Sequence, residues 1–321
     1  MPSRAHYNRT RMADQKKRKK RKATSPLLDY TADSYLERTS RPLYAIVFLI
    51  PFIIFYELGT VFINTNVLSG SQVRVVAFVW LQEFLKYIKV SSRVAWVAPP
   101  AVVVVILIGL QVAARKPWYF CFGDYVFMMI ECILLAIPLV VFSVVFHSAP
   151  QIGPREAAGP DGNHLYAQVQ TVAQSPPSWA QMRSDLLSQP SAAGGANGHS
   201  LMASVVTGVG AGIYEELVFR LILICVLMLV FQDLFGLSHT NAIVVSVLLS
   251  AALFSAHHHI IFVDGRFAKG DSFSPGIFIF RTTAGVYFAV LYAIRGFGIT
   301  AGTHALYDIM GTIINAVFFD A

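Results

Sequence analysis

Long apolar runs dominate this chain, and polar segments interrupt them only briefly. The runs cover roughly 43–63, 94–114, 125–146, 203–231, 241–262, 276–294 and 297–319. Most approach the ~20 residues a helix needs to cross the ~30 Å hydrocarbon core of a bilayer. The pattern predicts an all-α fold, a polytopic transmembrane helix bundle of about seven spans. The first run is too long for a signal-peptide core and has no A-x-A-like cleavage site, so it reads as a membrane helix.

Two segments break the pattern differently. Residues 71–90, "SQVRVVAFVWLQEFLKYIKV", mix apolar and aromatic residues with Arg74, Glu83, Lys86 and Lys89. That mixture predicts an interfacial helix lying on the membrane. Residues 148–200 contain "QSPPSW" and "QPSAAGGANGHS", a Pro-, Gly-, Ser- and Ala-rich composition that predicts a flexible extramembrane loop. The chain thus divides into a polar and basic segment (1–41), an N-terminal set of transmembrane helices (42–147), the loop (148–200) and a C-terminal helical half (201–321).

Composition agrees with the apolar pattern. Hydrophobic residues make up 55% of the chain and charged residues 13%, against about 25% charged in a soluble domain. The net charge of +7 is local: residues 1–22 hold ten Lys or Arg against one acid, Asp14. The segment therefore reads as a disordered cytoplasmic tail that sets topology and touches anionic lipid, not as a nucleic-acid surface. By the same rule the N-terminus is cytoplasmic. Cys121, Cys132 and Cys225 show no CxxC spacing and form no zinc or disulfide frame. "GVGAG", Gly208 to Gly212, lacks the Gly-Lys-Ser/Thr of a phosphate loop and fits close helix packing.

The chemistry lies in the second half. Ionisable groups at bilayer depth are costly and mark function by default. Glu215, Glu216 and Arg220 fall on the fourth run, His257, His258 and His259 on the fifth, Arg281 on the sixth, and His304 and Asp308 on the seventh. Glu216 and Arg220 are four apart, so they share a helix face and can pair as a supporting element. Glu215 is rotated by about 100° and points elsewhere. His304 and Asp308 share a face by the same spacing. His257 and His259 read as packing or water-facing residues. Glu57, Glu131 and Arg281 are intramembrane charges outside these i, i+4 pairs, and Glu131 with Arg281 is one available pair. His258 comes late in its run, so a meeting of these groups requires the fifth helix to extend a turn or more beyond His259, or a water-filled cavity to reach them.

A Glu with a His can deprotonate water, and a second His can donate to a developing oxyanion. Those parts suffice for peptide-bond hydrolysis. The same residue types could hold a divalent metal such as zinc, with Glu215, His258 and His304 as ligands joined by Asp308. H-E-x-x-H is absent.

Three short motifs carry a resemblance. "EELVFR" (Glu215 to Arg220) is similar to the E-E-x-x-x-R motif of the CAAX prenyl protease 2 and bacteriocin-processing (CPBP) family of intramembrane proteases. "FSAHH" (Phe254 to His258) resembles its F-x-x-x-H motif, and "HALYD" (His304 to Asp308) its H-x-x-x-Asn/Asp motif. The resemblance covers about residues 201–320 and marks 201–321 as a CPBP-like protease domain. It implies an all-helical membrane bundle in which Glu215 and His258 activate the attacking water, while His304 and the residue at 308 stabilise the oxyanion. Better-understood members have Asn at 308. An Asp there must be protonated to donate, or orient His304 instead.

The expectation is an intramembrane endopeptidase of a bacterial inner membrane, acting within the lipid bilayer on a membrane or exported peptide or protein, with no nucleic-acid partner. The alternative is a proton-coupled transporter, or a non-catalytic scaffold or immunity protein. A transporter predicts paired inverted halves, and the two halves here look dissimilar. A protein that had lost catalysis predicts a missing motif, and all three are present.

Overall fold

The computed structural model describes residues 31, 33–66, 76–87, 98–148, 196–263, 266–269 and 273–318. The basic tail through residue 30, most of the 148–200 loop, and Arg74 and Lys89 of the expected interfacial helix lie outside the described residues.

The helices in chain order are α1 (Tyr35–Thr39), α2 (Pro42–Asn66), α3 (Val76–Tyr87), α4 (Ala98–Ala114), α5 (Phe122–Ser148) and α6 (Ala196–Glu216). α6 runs on through a π-helical segment (Leu217–Leu223), α7 (Ile224–Met228) and a second π segment (Leu229–Leu234). Next come α8 (His239–His259), an antiparallel ribbon of β1 (Ile260–Val263) and β2 (Arg266–Lys269) with Ile260 opposite Lys269, and α9 (Pro275–Phe318). The fold is an all-α polytopic bundle with this one small ribbon. Among the described residues, five helices are long and apolar enough to cross a membrane, and α4 is a shorter apolar helix. Helices suit such a sequence because hydrocarbon offers no partner to backbone polar groups, which must be satisfied within each segment. Many large apolar side chains, Leu58, Phe127, Val145 and Leu229 among them, remain on the outside, as a lipid-facing surface requires. This is an integral membrane protein.

α9 is two helices joined at a sharp reversal. Gly296 has φ 75° and ψ −178°, a conformation essentially restricted to glycine. Phe288 and His304 lie eight residues before and after it. In a straight helix they would be about 24 Å apart, yet their rings stack with centroids 4.4 Å apart at 17°. With α9 read as two arms, the helical runs coincide with the seven apolar segments of the sequence.

The reversal is held by the N-terminal segment, whose residues 33–41 are ordered against the bundle and not part of a loose tail. Arg295 donates to both carboxylate oxygens of Glu131 at 2.5 and 2.8 Å, to the Leu36 carbonyl at 2.9 Å and to Thr39 at 2.7 Å. Glu131 thus meets Arg295, not Arg281, because the fold brings the corner beside α5. Arg38 adds a two-pronged contact to Asp124, both bonds 3.0 Å.

α9 is also the hub of the bundle, touching α2, α5, α6 and α8. Its closest approach is to α6. A Cβ at Gly208 would lie 2.7 Å from the Asp308 Cβ, and one at Gly212 would lie 2.7 Å from the Ala305 Cα. The glycines of "GVGAG" therefore serve close helix packing, as in membrane interfaces built on small residues.

The fifth helix does not extend beyond His259. It stops there, and the chain turns directly into β1, whose Ile-Ile-Phe-Val sequence favours an extended backbone. The histidines consequently sit at the end of α8, where β1 lies against α3.

Candidate active site

Three elements deliver the site. Glu215 and Glu216 end α6, just before its backbone widens into the π-helical turn that carries Arg220. Such turns frequently occur at functional positions. His257 and His258 occupy the last turn of α8, and His304 and Asp308 lie on the second arm of α9.

Glu216 is fully buried and has two partners. Its Oε2 is 3.1 Å from Arg220 Nε, the ion pair expected from the i, i+4 spacing. Its Oε1 is 2.7 Å from His304 Nδ1. The second contact crosses between helices and follows from the glycine-mediated approach one turn earlier, where Gly212 meets Ala305. Arg220, also fully buried, donates to the Gly285 carbonyl at 3.3 Å and lies over the Phe254 ring, 4.2 Å from its centroid. One ion pair thereby joins α6 to both arms of α9 and to α8.

Glu215 points into a different space. Its Oε1 is 3.6 Å from His257 Nε2, and its Oε2 is 4.0 Å from His304 Nε2. His304 Nε2 is in turn 3.7 Å from Asp308 Oδ2. These separations exceed direct hydrogen bonds. The Asp308 side chain is the most open of the group, 28% exposed. One ligand-capable atom from each of Glu215, His257 and His258 lies within 4.8 Å of the others.

The six residues singled out in the sequence therefore converge. Two details differ from expectation. The carboxylate that contacts His304 by a hydrogen bond is Glu216, whereas Asp308 stands off from Nε2. The metal-type cluster among the described residues contains His257 in place of His304, because His257 Nε2 faces Glu215 while His304 is drawn toward Glu216 by Nδ1. His257 does pack, against Trp80 and Phe219, but its polar edge belongs to the site. The adjacent histidines were its only signal in the sequence. His259 behaves as expected, buried against Phe273 and Phe278.

Phe288 stacks on His304, and Phe254 lies against His258 and His304. The result is a carboxylate and three imidazoles gathered within a mostly apolar wall. Such a site can move a proton to or from one small molecule and stabilise charge that develops beside it.

Residues 197–310 match the family described as type II CAAX prenyl endopeptidase Rce1-like. The C-terminal part of the chain is similar to that family. Every residue of the site falls inside that match, while the N-terminal helices fall outside it. No curated protein and no solved structure matches the chain.

Proposed function

We propose that the protein is an intramembrane endopeptidase, similar to CAAX prenyl protease 2, that hydrolyses a peptide bond with water activated by Glu215. The observation that carries the reading is the placing of Glu215 at 3.6 Å from His257 Nε2 and 4.0 Å from His304 Nε2. Two groups that each hydrogen-bond one water oxygen at about 2.8 Å stand about 4 Å apart when their bonds meet at a right angle. The spacing suits a shared water.

In this reading the water oxygen adds to the scissile carbonyl carbon while a water proton passes to Glu215. His258 borders the same space and orients the water. The negative charge that forms on the carbonyl oxygen is met by the Nε2–H of His304 in its doubly protonated form, whose Nδ1–H is given to Glu216. Glu216 is then the orienting carboxylate, as in other carboxylate–histidine pairs. Asp308 in its acid form adds a second donor. When the carbon–nitrogen bond breaks, Glu215 returns its proton to the departing amine.

The substrate class is a membrane-embedded or exported peptide. The basic tail supports a cytoplasmic N-terminus, and the membrane is read as a bacterial inner membrane. The test is peptide cleavage by the full chain in proteoliposomes, comparing wild type with Glu215→Ala and His258→Ala. Both variants are expected to lose cleavage while eluting as folded protein. Undiminished cleavage in both overturns the reading.

A further inference from the structure

We infer that Ser250 is a positioning residue of the site. Its hydroxyl fixes the π-helical turn that follows Glu216, and that turn sets His304 and His257 on the two sides of Glu215. The effect on peptide hydrolysis rests on the endopeptidase reading, but the effect on the histidines does not.

The π turn is where the geometry needs support. Its i→i+5 bonds wind the backbone more widely than an α-helix, and such turns are rare and short. They arise where a neighbouring group intrudes on the helix ladder and holds the wider winding. Ser250 on α8 is such a group. It is buried, and its Oγ is 2.7 Å from the Phe219 carbonyl oxygen. A carbonyl only accepts, so the hydroxyl donates. The bond crosses between helices and lands inside the π segment Leu217–Leu223.

The bonded carbonyl belongs to the peptide unit that joins Phe219 to Arg220. Fixing that unit fixes where both side chains leave the backbone. Arg220 is aimed at Glu216 Oε2, 3.1 Å away, and at the Gly285 carbonyl, 3.3 Å away. Glu216 Oε1 in turn accepts from His304 Nδ1 at 2.7 Å. Phe219 is aimed toward α8, with its ring centroid 4.8 Å from that of His257 and 5.5 Å from that of Phe254. Relaxation of the segment to α winding would rotate Arg220 about the helix axis and withdraw it from Glu216 and Gly285. One hydroxyl thus governs both imidazoles that face Glu215, from about two turns before His257 along α8.

A second serine gives the contrast. Ser246 lies one turn earlier on the same face of α8 and is fully buried, yet its hydroxyl has no hydrogen-bond partner among the described residues. A buried serine on this face therefore does not by itself restrain the neighbouring backbone. The bond to Phe219 distinguishes Ser250, and it makes Ser246→Ala a matched control.

The experiment uses the full chain in detergent, labelled with ¹⁵N-histidine. The first measurement is the NMR signal of the His304 Nδ1 proton, assigned by its loss in His304→Ala. In Ser250→Ala this signal is expected to move upfield or to vanish by exchange with water, and in Ser246→Ala to stay as in wild type. The second measurement is peptide cleavage. In Ser250→Ala kcat should fall by about tenfold or more with KM little changed, as for a small misplacement of reacting groups. Ser250→Cys, which keeps a weaker donor, should lie between serine and alanine, and Ser246→Ala should cleave like wild type. A His304 proton unmoved in Ser250→Ala, or equal losses of kcat in the two alanine variants, overturns the inference. If the wild type cleaves no peptide, the endopeptidase reading fails and the NMR comparison alone decides the role of Ser250.

Discussion

Glu216 Oε1 accepts a hydrogen bond from His304 Nδ1 at 2.7 Å, while Oε2 of the same carboxylate pairs with Arg220 Nε at 3.1 Å. A single buried carboxylate therefore holds a proposed catalytic imidazole and a structural guanidinium at once. Removing its charge has two consequences that can be separated. Glu216→Gln leaves Arg220 buried and unpaired, a loss of about 3–5 kcal/mol of stability. It also weakens the hold on His304, and kcat for peptide cleavage should fall by about 10–100-fold, the usual cost of losing an orienting partner, with KM little changed. The double variant Glu216→Gln with Arg220→Met removes both buried charges, so it should recover much of the stability and none of the kcat. Thermal unfolding in detergent and steady-state kinetics read the two effects independently.

The α6–α9 contact that permits this bond rests on glycine. Gly212→Val would drive a branched side chain into the Ala305 backbone and push His304 away from Glu216. Overpacking of this kind commonly costs about 1–3 kcal/mol, and more where the obstruction is backbone. Gly311 lies on the same arm of α9 with open space around it. Gly311→Ala should be neutral, or stabilising by up to about 1 kcal/mol from helix propensity. Melting temperatures of the two variants check the contrast, and only Gly212→Val should lose cleavage.

The helices were legible because hydropathy over a membrane-length segment is a strong constraint, and the Glu216–Arg220 pair because i, i+4 geometry is local. Contacts between helices follow no such local rule. Glu131 pairs with Arg295, not Arg281, because the Gly296 reversal turns Arg295 toward α5. His304 meets Glu216 because glycines on α6 admit Ala305. His257 could not be assigned from the run of three histidines, since which ring edge faces Glu215 depends on where α8 stops. The end point differs from the expectation as well: β1 takes the place of the extra turn, with the run Ile260–Val263 in strand structure.

Gly296 offers a test of the reversal itself. At φ 75° and ψ −178° an alanine is strained, and its Cβ would meet the Ser40 carbonyl at 3.0 Å. A non-glycine residue in this region costs about 1–3 kcal/mol. Gly296→Ala should therefore lower the melting temperature, and it should do so without touching any residue of the site. Residual cleavage measured well below the new melting temperature should stay within a few-fold of wild type, on the order of the small changes expected from a distant site.

The segment that braces this corner carries a pH dependence. Burial of Glu37 favours its neutral form, but its hydrogen bonds from Arg41 and Lys116 outweigh that and hold the carboxyl below its usual value. Arg41 Nη2 lies 2.5 Å and Lys116 Nζ 2.7 Å from its oxygens. A carboxylate whose folded pKa is depressed contributes stability above its unfolded pKa, and that contribution is lost as pH falls through the folded value. The difference in melting temperature between wild type and Glu37→Gln should thus be constant from about pH 6 to 8, then shrink as pH drops below about 4.3, the unfolded value. Other carboxylates titrate in both proteins and cancel in the difference. A gap that widens on acidification would mean that Glu37 is held in its neutral form, against the bonds drawn by Arg41 and Lys116.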